Sequence, residues 1–384
     1  MSALSGKKIL ILSPQSWGKM LLSKHHYALE LAKAGNKVYF LNPPDQSGSI
    51  SRGAIQVELS ELSSNLHFIQ HRTFFPFWIK FRSFTLFQWL MKFQIARLLK
   101  QLGKIDIVWS FDIGDTCPLK YFPSSALKVF HPVDEPLSSA AINAAIGSNI
   151  IFSVTREILD KYKNFSVPKH FIHHGVTESF LKSVDQPGYQ LAEKVKVGYS
   201  GNLLRDDMDR QTLLSIVRQN PSIEFHFFGS YKVDQTNIGG NESRELQSFV
   251  ADITSQKNVV MHGVLTQGQL ADQFNRMDAF LVCYDIEKDQ SKGTNYHKLM
   301  EYIATGKVII SNNVTTYAQY PNLVQMTNTR DHNNGLPELF KSVITNLHYH
   351  NSAALMEERK AFARSNTYSK QVERIESCLD NLVK

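Results

Sequence analysis

The stretch GTNYHKLMEYIATGKVIISN, Gly293–Asn312, decides how the chain is read. Thr294 or Asn295 suits a helix N-cap, Gly306 suits the helix end, and KVIIS beyond it reads as a buried strand. A helix that feeds a buried strand is half of an α/β repeat. The charge of its first turn runs against the usual preference. A helix start carries partial positive charge and favours Asp or Glu, yet His297 and Lys298 stand there, with no carboxylate before Glu301. A cation placed where the backbone is already positive points to an anion bound at that helix start.

Outward from this stretch the alternation continues. The second half opens with KVKVGYSGNL and runs through IEFHFFGS, VVMHGVL and DAFLVCY to KVIIS, with helical segments between. The first half opens with KKILILSP, a loop around Gly18, the helical pattern KHHYALELAKAG ending at Gly35, and KVYFLNPP. That order is a right-handed βαβ unit. IDIVWSF, LKVFHPV and NIIFSVT follow, short apolar runs of the kind buried in a parallel sheet. Val176–Lys194 is polar, lacks periodicity and holds Pro187-Gly188, so it reads as a linker. At 384 residues the chain is too long for one core. The expectation is an α/β protein of two Rossmann-like, doubly wound domains, 1–180 and 190–366, facing a central cleft.

Composition narrows the classes. Hydrophobic content of 42% and charged content of 20% exclude a disordered chain. A net charge of +7 suits an anionic partner without saying which. Cys117, Cys283 and Cys378 stand alone, which excludes a disulfide framework and a cysteine zinc site and fits a reducing cytoplasm. The apolar run in MSALSGKKILILS is too short for a signal peptide, and no segment reaches membrane-spanning length. A cytoplasmic location is expected.

The loops limit the nucleotide chemistry. SPQSWGKMLLS, the first βα loop, has one glycine, so the G-x-G-x-x-G fingerprint is absent, and there is no G-x-x-x-x-G-K-[ST] phosphate loop. VGYSGNLLRDD sets Gly198 and Gly201 about a strand end. Glycines there permit close approach of a phosphate, with Arg205 adding charge, or they simply make a tight turn. Lys298 and Glu301, three apart, share one helix face; alone they would be a surface pair worth ~0.3 kcal/mol. Asp206, Asp207 and Asp209 of DDMD read as an acid-rich helix start, and no His/Asp/Glu cluster has metal-ligand spacing.

Taken in order, GYSGNL, GVLTQGQLADQFNRMDAFLVCY and NYHKLMEYIATGKVIISN resemble the C-terminal domain of GT-B glycosyltransferases. The nearest pattern is that of family-4-type and teichuronic-acid-synthesis-like enzymes of bacterial cell-surface polysaccharide, with n-P-x-K-x-x-E-Y-x-A-x-G-K-P-V-V-s. HHYALELAKAGNKVYFLNPP and HHGVTESF, similar to pnGvd..F, extend the likeness into the first half. The resemblance implies a UDP- or GDP-linked sugar donor and no metal or other cofactor. Its diphosphate would meet Gly201, Asn202, Arg205, Thr294, Asn295 and Lys298, and Glu301 would hold the ribose. SNTYSKQVERIESCLDNL resembles the terminal GT-B helix, which would return about 367–384 to the first domain. One departure stands out. Many family-4 enzymes carry E-x(7)-E, and the position eight before Glu301 is Gly293, with Glu287 nearby but out of register. That leaves two rivals to glycosyl transfer: a GT-B-like sugar-nucleotide epimerase or hydrolase, and a non-catalytic partner that keeps the fold.

Transfer to a hydroxyl by inversion requires a base. HPVDEP resembles the family's Y-D-x-x-D segment, which makes Asp134 the first candidate, with Asp112 and Glu135 as other acids at strand ends. His26, or its neighbour His25, is the second. Arg72–Lys104, RTFFPFWIKFRSFTLFQWLMKFQIARLLKQLGK, is dense in Phe and Trp with interleaved Lys and Arg, and apolar residues occur on nearly all faces between Phe74 and Phe93. It reads as an ordinary covering helix or as a contact with an anionic membrane surface that receives a glycan or lipid-linked acceptor. No RNA-binding motif accompanies it, and nucleic acid is not an expected partner.

Overall fold

Short apolar runs separated by helices build two open, mainly parallel sheets in a computed structural model that describes residues 3–18, 20–182, 194–232, 243–289 and 292–383. The chain divides into two units, 1–173 with 368–384 and 174–367. Pro187-Gly188 lies outside the described residues. Val176–Lys182, read from its polarity as the start of a linker, packs with the second unit: Val176 and Phe180 are buried there, Phe180 against Phe274 at 5.6 Å.

The first unit runs β1 (Lys8–Leu12), α1 (Ser23–Lys33), β2 (Lys37–Leu41), β3 (Ile55–Leu59), β4 (Leu66–His71), α2 (Ile79–Arg82), α3 (Phe84–Leu102), β5 (Ile107–Ser110), β6 (Leu127–Phe130), α4 (Ser139–Asn143), β7 (Ile150–Ser153), α5 (Arg156–Lys161) and β8 (Lys169–Phe171). Its sheet has the order β3-β4-β2-β1-β5-β6-β7-β8. All neighbours are parallel except β3, which runs antiparallel to β4 at the edge. Alternation along β1 serves two cores: Leu10 and Leu12 face one, Ile9 and Ile11 the other. The first core takes Phe87, Met91, Ile95, Leu98 and Leu102 from one stripe of α3, which stops at Gly103 with φ 73°.

The second unit continues with α6 (Glu178–Lys182), β9 (Lys196–Ser200), α7 (Arg210–Gln219), β10 (Glu224–Phe228), α8 (Arg244–Thr254), β11 (Val259–Gly263), α9 (Gln267–Phe274), β12 (Ala279–Val282), α10 (His297–Ala304), β13 (Val308–Ser311), β14 (Gln325–Met326), α11 (Leu336–Thr345), α12 (Leu347–His350) and α13 (Ala353–Ser365). Its six strands are all parallel, in the order β11-β10-β9-β12-β13-β14. The last helix, α14 (Tyr368–Val383), belongs to the first unit. Its Tyr368, Val372, Ile375 and Leu379 join Tyr27, Ala28 and Leu31 of α1 in the core on one side of the first sheet.

In each sheet the strand order reverses once, between β1 and β5 and between β9 and β12. In open α/β sheets the strand C-termini at such a reversal form a ligand crevice.

Candidate functional site

At the reversal of the second sheet, α10 grips the end of β9 through one peptide unit. The Ser200 amide donates to Tyr302 Oη at 2.6 Å, and the Ser200 carbonyl accepts from the Lys298 ammonium. Residues 298 and 302 lie one turn apart on α10, so a single helix face holds both groups. Tyr302 is also core, stacked on Phe280 at 4.2 Å.

Lys298 is 4% exposed, so it is no surface charge. Its Nζ sits 4.8 Å from the Tyr199 ring centre and 4.9 Å from that of Tyr284, and no carboxylate pairs with it among the described residues. Burial lowers its pKa to about 7, with Asp207 opposing through space. Glu301, three residues on, is half-buried and has no hydrogen bond or ion pair among the described residues. Its carboxyl pKa is pushed upward by burial against the pull of Lys298. The helix face therefore offers a buried amine and, beside it, a carboxyl that makes no hydrogen bond or ion pair among the described residues.

Neither Thr294 nor Asn295 caps this helix. Tyr296 occupies the N-cap position, its side chain makes no cap hydrogen bond, and the first turn has no acid. Instead, the chain ahead of α10 is pinned to the loop after β13: Thr315 N–H donates to the Gly293 carbonyl at 3.0 Å and Thr316 N–H to that of Thr294 at 3.2 Å. Thr294 and Asn295 are buried there. Gly293 has φ +66°, and a Cβ on it would stand 2.8 Å from the Asn313 carbonyl oxygen. This backbone excludes a glutamate at 293. Nearby Asp289 is buried and accepts from Gly293 N–H at 2.8 Å and Tyr296 Oη–H at 2.7 Å, while Glu287 is exposed.

The glycines of the β9 end divide in role. Gly198 lies inside the strand, where a Cβ would meet the Phe280 ring at 2.9 Å; packing alone requires it. Gly201 has φ +152°, and a Cβ there would lie 2.8 Å from Lys298 Nζ. Its own N–H is taken by the Phe228 carbonyl at 2.8 Å. Asn202 is buried and its Oδ1 accepts from Leu204 N–H at 2.9 Å. The Arg205 guanidinium is held on both oxygens of buried Asp207, with Nε 3.0 Å from each, so its charge is already partly matched. Asp209 accepts from Thr212 N–H at 3.0 Å as the N-cap of α7, as the acid-rich stretch implied.

At the reversal of the first sheet the acids and histidines differ in burial and partners. Asp134 is exposed in the loop after β6. Asp112 accepts from Gly114 N–H and Thr116 N–H, both at 2.8 Å, and so braces its own loop. Glu135 pairs with Lys161 at 3.5 Å. His25 Nδ1 accepts from Leu22 N–H at 2.8 Å, and burial pushes its pKa down to about 4, which keeps the ring neutral and structural. His26 is buried and stacks on Tyr368 at 4.7 Å.

Several site groups carried no sequence signal. Lys24 is 2% exposed, with its ammonium on Gln15 Oε1 and its pKa lowered by burial to about 8 against the fields of Asp134 and Asp112. Tyr199 and Tyr284 around Lys298 are equally silent in sequence, and Asp207 shows there only as part of an acid-rich helix start.

No family model matches the sequence, and no curated relative matches it. Solved structures do resemble it. A sucrose-phosphate synthase from Thermosynechococcus elongatus aligns over 98% of this chain and 99% of its own, with 11% identity and a TM-score of 0.73. HepE of Anabaena, solved in complex with UDP-glucose, covers 98% and 100% at 13% identity and 0.65. The lipopolysaccharide outer core galactosyltransferase WaaB covers 95% and 97% at 12% identity and 0.60. These full-length alignments, with the two parallel-dominated sheets, show that the chain has the GT-B fold of the glycosyltransferases it resembles.

Proposed function

We propose that the protein is a glycosyltransferase that moves a sugar from a nucleoside-diphosphate donor, UDP- or GDP-linked, to a glycan or lipid-linked acceptor in cell-surface polysaccharide synthesis. One observation carries the reading: among the described residues the buried Lys298 amine has no carboxylate partner, and it stands beside the Glu301 carboxyl, which makes no hydrogen bond or ion pair there. A buried charge is costly until it is paired. A donor supplies both complements at once, an anionic diphosphate for Lys298 and ribose hydroxyls for Glu301. Gly201, Asn202, Arg205 and the main chain at Thr294 and Asn295 would complete the diphosphate contact. HepE, solved with UDP-glucose, and the galactosyltransferase WaaB share the fold and make this the favoured chemistry.

In this mechanism the first unit binds the acceptor, with Asp134 as the base that receives the hydroxyl proton and His26 as the second candidate. The acceptor oxygen forms the new glycosidic bond as the bond to the diphosphate breaks, and Lys298 stabilises the charge that develops on the leaving group. No metal takes part in this scheme, and the enzyme would work in the cytoplasm on the inner face of the plasma membrane. The backbone at Gly293 favours a second reading, a GT-B-fold partner without catalysis, because the first acid of E-x(7)-E has no place there.

A thermal-shift panel of UDP, GDP, ADP, CMP and their common sugar conjugates tests the proposal. One nucleotide far above its Kd should stabilise the wild type by a few kcal/mol. Glu301→Ala should weaken that binding ~10–100-fold. A shift for none of them overturns the donor site. A shift without sugar transfer to any glycan or lipid acceptor favours the second reading.

A further inference from the structure

The large apolar side chains left in solvent are not spread evenly. Leu59, Leu62, Leu137, Ile146 and Tyr349 lie elsewhere, but Phe74 and Trp78 ahead of α2 and Phe81, Leu86, Trp89 and Phe93 along α2 and α3 follow one another, with Phe81 78% and Trp78 61% exposed. On α3, Leu86, Trp89 and Phe93 form a stripe at i, i+3 and i+7, opposite the buried Phe87, Met91, Ile95 and Leu98. Trp89 and Phe93 meet edge to face at 4.9 Å. The helix is therefore apolar on two sides, and the core uses only one.

Charge says what fits the other side. Arg72–Lys104 holds seven Lys and Arg and no Asp or Glu. Lys80 and Arg97 are tied inward, to Thr116 Oγ1 at 2.8 Å and the Gly53 carbonyl at 2.7 Å. Arg82, Lys92 and Lys100 are exposed around the aromatic stripe. A second copy of this face would bring the same cations against one another, since a twofold interface sets a patch against itself. Aromatic rings that accept an apolar layer, rimmed by cations that remain in water, match the boundary between lipid tails and anionic headgroups. Among the described residues no helix is long and apolar enough to cross a membrane, so contact from one side is the mode this face allows.

We propose that α2 and α3 seat the protein on an anionic lipid bilayer, with Trp78, Phe81, Leu86, Trp89 and Phe93 entering the headgroup boundary and Arg82, Lys92 and Lys100 meeting lipid phosphates. Its use, to receive a lipid-linked acceptor, rests on the glycosyl-transfer reading; the binding does not.

Co-sedimentation of the full chain with vesicles, without nucleotide, separates the two. Wild type should bind phosphatidylcholine vesicles containing phosphatidylglycerol and bind pure phosphatidylcholine weakly. Neutralising two surface cations in Arg82→Gln/Lys92→Gln should weaken binding ~30-fold. Trp89→Ser/Phe93→Ser should reduce it to the level seen with pure phosphatidylcholine while the melting curve stays that of wild type, because both rings are exposed. Failure of wild type to bind anionic vesicles overturns the proposal, as does equal binding by both variants. A dimer in sedimentation velocity that dissolves in Trp89→Ser/Phe93→Ser, without vesicle binding, would assign the face to a second copy instead. Nucleotide binding in solution is blind to all these outcomes, so the donor site stands or falls separately.

Discussion

In the proposed donor role, Lys298 would put function and stability of the second unit in opposition. Its folded pKa of about 7 lies below the 10.5 of an ordinary lysine, so between those values the unfolded chain holds a proton that the folded chain has released. The contribution of this group to stability therefore rises with pH from about 7 towards 10. Lys298→Met removes the buried ammonium and keeps the volume; urea unfolding should show a gain of ~1 kcal/mol at pH 7, while nucleotide binding is lost. A diphosphate bound as proposed would restore the charged form. In calorimetric titrations the affinity should accordingly fall above pH 7, approaching about tenfold per unit, and binding there should take up a proton. An affinity flat from pH 6 to 9 would mean that Lys298 does not face the anion.

At the scale of elements, the seam between β9 and α10 depends on the Ser200 peptide. Tyr302→Phe keeps the stack on Phe280 but leaves the Ser200 N–H without its acceptor, at a cost of about 1–3 kcal/mol. Urea unfolding should register that loss, and donor affinity should fall with it because Lys298 grips the same peptide from the same helix. An unchanged unfolding curve would show that water replaces the phenol. The sequence made the strands of this seam legible because apolar runs such as DAFLVCY and KVIIS are buried on both faces. It left β3, β4, β8 and β14 unread. IQVEL and LHFIQH alternate polar residues into the run, while KHF and QM are too short to show a period. Lys298 and Glu301 could be paired from their spacing alone. Tyr199 and Tyr284 could not, because strand order brings them to Lys298 and no local pattern encodes it; nor could Lys24, whose charged neighbours Asp112 and Asp134 follow later strands of the first sheet.

For the whole molecule, the fold was legible because two strand-helix series repeat along one chain, and the solved GT-B structures match it from end to end. The return of the terminal helix was legible only by resemblance. In the structure α14 completes the core beside α1, with Tyr368 stacked on His26 and its Oη 3.4 Å from Ser23 Oγ. The first unit is thus made of two segments of chain, and the whole of the second lies between them.

That interruption has a consequence for synthesis on the ribosome. Residues 1–173 emerge first, yet Tyr27, Ala28 and Leu31 have no partner helix until 368–383 is made. The contiguous second unit can close before the first, reversing the usual order in which N-terminal domains finish early. The nascent first unit should then stay sensitive to protease, and be a client for chaperones, in chains arrested before Tyr368. It should gain resistance once α14 clears the exit tunnel; resistance acquired before that point would show that the first sheet folds without its last helix.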